Sequence, residues 1–152
     1  MYRAAGRSAA TAATANNSLF GIWNPHSTIR CRLTELHLCV QGAAPTAGSS
    51  MMLRRISARG TATSTVTPII ENDIQRAQAP TSGLLLDLTY SAQPTLVTSP
   101  ALWQWSLAAV VSSGVIVPIE ITIPPGTGLV LANVGAVVFP ATDVSIGWKE
   151  EF

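Results

Sequence analysis

Charge is scarce in this chain: Asp, Glu, Lys and Arg together make up 11% of its 152 residues, against about a quarter in an ordinary soluble domain. A surface so poor in charge favours one that is covered by neighbours over one carried by a free monomer. Histidine is also scarce, with two copies, whereas a metal centre usually takes three or four ligands. His37 and Cys39, two apart on one predicted strand face, are the sole pairing, so no metal and no cofactor is expected. The two cysteines, Cys31 and Cys39, stand at opposite ends of that strand, about 26 Å apart at ~3.3 Å per residue. That lies beyond disulfide reach, and they read as separate buried thiols. Met1 to Ser18 has no apolar core of the kind a secretory signal needs, so no signal peptide is expected there and the chain is expected to be made in the cytoplasm. The uncharged stretches Leu88–Ile119 and Ile121–Thr142 are cut by Pro94, Pro100, Pro118, Pro124 and Pro125 into pieces too short for a helical span, so no membrane partner is expected. Nine basic residues offset by eight acidic ones leave no concentrated basic patch for nucleic acid.

What is abundant is alternation. Val115, Val117, Ile119, Ile121 and Ile123 hold strict period two, which predicts one half-buried strand ended by Pro124-Pro125-Gly126. Leu84, Leu86, Leu88 and Tyr90 repeat the pattern, as do Trp103, Trp105 and Leu107, and Val144, Ile146 and Trp148. Gly128–Ala132 and Ala136–Phe139 read as further strands, and Met51–Thr67 as one long one. Thr28–Gln41 changes phase midway: Ile29, Cys31 and Leu33 are odd, Leu36, Leu38 and Val40 even. Such a strand needs a bulge or bend, as where a strand passes between the sheets of a sandwich. Gly42–Ser50 is a soft loop, and Pro68–Gly83 a long connection with one helical turn around Glu71–Arg76. The expected fold is all-β: a single antiparallel β-sandwich or jelly roll of about eight strands over residues 19–152. Residues 1–18 are mostly Ala, Thr, Ser and Asn with no large apolar anchor after Tyr2, and read as a flexible, extended arm.

The charges are unevenly spread. Residues 1–60 carry seven arginines and one acid, and residues 61–152 two bases and seven acids. That division suits head-to-tail contact between copies, or is simply intermixed by the fold. Arg3 and Arg7 in the arm, Leu19, Phe20 and Trp23 after it, and Arg54, Arg55 and Arg59 are the candidate interface residues. Trp103 and Trp105, two apart, form either a stacking platform for a glycan or part of the core; the platform requires both indoles exposed together. No catalytic residue emerges. Asp87, Glu120 and Asp143 lie on separate strands or turns and read as solvent-facing positions, and Pro124-Pro125-Gly126-Thr127-Gly128 lacks the lysine and helix of a phosphate loop.

Three segments carry a resemblance: the polar Ala/Thr/Ser arm, Asn17-Ser18-Leu19-Phe20-Gly21-Ile22-Trp23-Asn24-Pro25, and the close Ile119-Glu120-Ile121-Thr122-Ile123-Pro124-Pro125-Gly126-Thr127-Gly128-Leu129 with Val144-Ser145-Ile146-Gly147-Trp148-Lys149-Glu150-Glu151. Together they resemble small virion proteins of tailed bacteriophages. The resemblance implies a capsid decoration (cement) protein, a jelly roll that forms a homotrimer on the capsid exterior, binds the major capsid protein and reaches its neighbours with an arm. It implies no enzyme activity. Tail and head-fibre proteins, or a glycan- or receptor-binding module, are the alternatives.

Overall fold

The computed structural model describes residues 1–41, 48–66, 69–70, 83–107 and 114–151, and all regular structure among them is strand. In chain order the strands are β1 (Tyr2–Arg7), β2 (Ser18–Trp23), β3 (Arg30–Val40), β4 (Ser49–Ala58), β5 (Thr61–Val66), β6 (Ile69–Ile70) and β7 (Leu85–Ala92). They continue with β8 (Thr95–Leu96), β9 (Trp103–Leu107), β10 (Gly114–Val117), β11 (Ile121–Ile123), β12 (Gly128–Asn133) and β13 (Thr142–Glu151). One sheet runs β10-β3-β13-β1-β6, with β11 following β10 along the same flank of β3; the other runs β5-β7-β2-β12-β4-β8, with β9 also on β4.

The pairings nest. β1 pairs with β13, β2 with β12, β3 with β10 and β11, and β4 with β8 and β9, all antiparallel. A single ribbon wound in this way is the wiring of a jelly roll. β5 and β7 then widen the second sheet beyond β2.

The core between the sheets joins Leu33, Leu36, Leu38, Ile146 and Trp148 of the first to Phe20, Ile22, Leu53, Leu129 and Leu131 of the second. β12 is buried along its whole length. Its Leu129 and Leu131 face the core, while Val130 and Ala132 lie under a second cluster with Ile56, Trp23 and Leu96. Two buried asparagines fasten the chain near either end of β12. The Asn24 amide donates to the Ile29 and Ile123 carbonyls at 3.0 and 2.9 Å, and its oxygen accepts from His26 N. The Asn133 amide reaches Thr11 Oγ1 at 2.8 Å and the Ala12 carbonyl at 3.1 Å.

Several expectations change in detail. Residues 1–18 are not an unanchored arm here: Tyr2–Arg7 pairs along its whole length with β13, because backbone hydrogen bonds and charge replace the large apolar anchor the sequence lacks. The predicted strand through Val115–Ile123 is two strands, since Pro118 has no N–H to give the ladder. Its apolar face is nonetheless inward, with Val117 and Ile123 buried. Met51–Thr67 breaks into β4 and β5 at Gly60, whose φ of 76° suits glycine. Ala136–Phe139 forms no strand. The phase change in β3 is a bulge opposite Gly147/Trp148, and β3 stays within one sheet. Because the phase flips, Cys39 points outward and is exposed, whereas Cys31 is buried; both are free thiols. The 42–47 part of the expected loop and the expected helical turn at 71–76 lie outside the described residues.

Candidate functional site

The outer face of the first sheet is a set of cross-strand rows. Arg7, Asp143, Cys39 and Gly114 stand opposite one another, and so do Ala5, Ser145, His37 and Ile116. Between these rows runs an open groove of about 760 Å³. Arg7 closes one side of it with a two-pronged bond to Asp143, 2.6 Å from Nε and 3.1 Å from Nη2. That hydrogen bond, together with the cation's charge, holds the Asp143 carboxyl below its ordinary range. The pair is exposed, so salt screens it and its contribution to stability is small. Farther along, Arg3 meets Glu35 at 2.9 Å beside Gly147, where a side chain would crowd the glutamate. Arg32 bonds Glu120 and lies 3.5 Å from Glu151. Ile116, 69% exposed, is the most exposed large apolar residue among those described.

The second sheet carries an ionic centre on the strands that widen it. Asp87 is fully buried and accepts from Arg59 Nε at 2.7 Å, Arg59 Nη2 at 2.6 Å and Thr65 Oγ1 at 2.6 Å. Arg59 also donates to Thr65 Oγ1 at 2.9 Å. Burial, and next the charge of Asp87, raises the Tyr90 phenol above its ordinary range. The Tyr90 hydroxyl lies over Gly21, where an added Cβ would sit 1.9 Å from it.

The expected interface residues therefore divide. Leu19 and Phe20 are core residues, at 1% and 0% exposure, and are not offered to a partner. Trp23 is half-buried against Ile56, Val130 and Ala132. Arg3, Arg7 and Arg59 are paired within the chain, and Arg54 donates to the carbonyls of Val97 and Ser99 at 2.9 and 3.3 Å. Arg55 is half-buried, opposite Leu129. Arg7–Asp143, Arg32–Glu120 and Arg59–Asp87 each join the basic first part of the chain to its acidic remainder, so the fold intermixes the charges.

Trp103 stacks on Trp105 at 6.3 Å, and Trp105 packs on Phe139 at 5.3 Å. Because Trp105 is buried, the two indoles are not exposed together as a sugar platform requires. Asp87 is the opposite correction, a buried ion where a solvent-facing carboxylate was expected. Its signal in the sequence is an acid set among Leu84, Leu85, Leu86 and Leu88 on a strand with little room for water.

No protein-family model, curated protein or solved structure matches this chain. Among the described residues, no three His, Cys, Asp or Glu side chains are grouped to hold a metal, and no helix is long and apolar enough to cross a membrane.

Burial, followed by the charges of Glu150 and Glu151, pushes the Cys31 thiol from its ordinary 9.0 up to about 12. The unfolded chain therefore gives up this proton first as pH rises. The stabilisation is complete below pH 9.0 and falls by about 1.4 kcal/mol per pH unit between there and the folded value. Urea midpoints across that range should show this alkaline loss, and Cys31→Val should remove its share of it. A loss of the same size in the variant would assign the effect to other groups.

Proposed function

We propose that this chain is a non-catalytic structural protein of a phage particle: a homo-oligomeric jelly roll that sits on the outside of the head, binds the major capsid protein and stabilises the shell. The observation that carries the reading is how the surface is spent. Arginines and acids are largely paired within the chain, whereas Ile116, Val138, Val134 and Leu102 stand 69%, 43%, 41% and 41% exposed. A surface with little free charge and open apolar side chains suits fitted contacts repeated over many copies, where small gains sum. Cyclic assembly of such a sandwich buries part of that apolar area between copies.

Light scattering of the purified protein, together with co-sedimentation with intact phage heads, tests this. A trimer that sediments with heads supports it. A monomer that ignores heads overturns it and moves the reading to a tail or receptor-binding role.

A further inference from the structure

The first strand is held in its sheet by contacts that a second copy could supply equally well. Within β1, Ala4 is the sole fully buried residue, and Gly6 lies close against Leu88 and Val66. Tyr2 stacks on Trp148 at 5.7 Å. Much of the rest is backbone and charge: a ladder from Tyr2↔Trp148 to Arg7↔Asp143, a short pairing with β6, and the ion pairs Arg3–Glu35 and Arg7–Asp143. Both cations belong to β1, and the acids belong to its neighbour β13 and to β3, the strand beyond. Strand and slot are thus oppositely charged.

The connection to β2 has one weak point. Ser8 is tied to Thr142 by its N–H at 3.0 Å and travels with β1. Thr11 is tied to Phe139 and Asn133 and stays with the body of the fold. Between them lie Ala9 and Ala10, small and exposed. A short, exposed hinge joining two separately anchored segments is the arrangement that favours exchange of identical elements between copies.

We propose that β1 is exchanged: Tyr2–Arg7 of one copy fills the slot beside β13 of another, with Ala9–Ala10 as the hinge. This rests on the homo-oligomer reading above and names the contact that would join the copies. It also gives the polar N-terminal segment a docking role while leaving every pairing of the fold unchanged. Exchange within a closed ring keeps all the contacts of the separate chain and adds whatever the bridging segments bury.

The test is a chain carrying Ala5→Cys and Ser145→Cys with Cys39→Ser. The first two positions face each other across the β1–β13 ladder, on its open side. The protein is treated with a short bis-maleimide at a concentration where light scattering finds the oligomer. Exchange places most of the linked product at twice the chain mass or above on a denaturing gel. Links confined to single chains in an oligomeric protein overturn exchange and leave the assembly reading standing; a protein that is monomeric throughout overturns both. If the cysteine variant misfolds, the next facing pair on the same side, Arg7→Cys and Asp143→Cys with Cys39→Ser, replaces it and is read on the same gel with the same two outcomes.

Discussion

Replacing Arg59 by Met should cost this protein about 3–5 kcal/mol, the range for breaking a buried ion pair by removing one partner. The carboxylate left behind is fully buried and loses two of its charged donors while keeping the Thr65 hydroxyl, whereas Arg59 itself is 32% exposed. The pair is therefore asymmetric. Asp87→Asn leaves a guanidinium that can turn to water and an amide that still accepts a hydrogen bond, at a cost of about 1–2 kcal/mol. Chemical denaturation of both variants checks this, with the arginine variant expected to be the weaker by a wide margin. Equal losses would mean that Asp87 is better hydrated than its burial implies. The loss should appear first in β5 and β7, because Arg59, Thr65 and Asp87 tie the strands that extend the sheet beyond the jelly roll itself, and amide exchange resolved by strand reads this directly.

Trp148→Ala should cost a similar amount, about 3–5 kcal/mol, as for other large aromatic side chains cut out of a core. Trp148 has no exposure, stacks on Tyr2 and lies in the ladder between β1 and β3. Trp148→Phe separates the packing from the polar group. The indole N–H is buried and meets no acceptor among the described residues, so removing it relieves an unmet donor while the ring volume shrinks modestly. The phenylalanine variant should cost less than half as much, about 1–2 kcal/mol, because it leaves a smaller cavity. Urea midpoints of the three proteins decide it. If Trp148→Phe is as damaging as Trp148→Ala, the indole N–H has a partner and the site is polar. Since Tyr2 is the one large side chain that β1 lays on this ring, the alanine variant should also loosen β1 and raise amide exchange at Ala4–Arg7.

Most of what the sequence determined about this protein is periodic. Period-two runs such as Val144, Ile146 and Trp148 fix which side chains face inward, because a strand turns alternate residues to opposite faces wherever it sits. The all-β class, the inward faces of most strands and the phase change in β3 follow from that alone, as do the separate thiols of Cys31 and Cys39. Proline and glycine mark the turns for equally local reasons, although the break at Pro118 depends on the missing N–H as well as on the pattern.

Partners between distant segments were settled by the tertiary structure. Arg7 and Asp143 are 136 residues apart, and Arg59 and Asp87 are 28 apart, and no spacing rule connects either pair. Asp87 is a buried ion because β5 and the turn before it fold Thr65 and Arg59 over it, although alternation alone gives it the look of a surface acid. Leu19 and Phe20 are core residues because β2 lies between β7 and β12, with no edge free to present them. The first residues of the chain show the limit most clearly. Composition finds little apolar anchorage there, yet β13 supplies a ladder, Trp148 a ring for Tyr2 to lie on, and the nearby acids receive both arginines. Local pattern decides which way a side chain points, whereas topology decides what it meets, since contacts between distant segments depend on how the whole ribbon is wound.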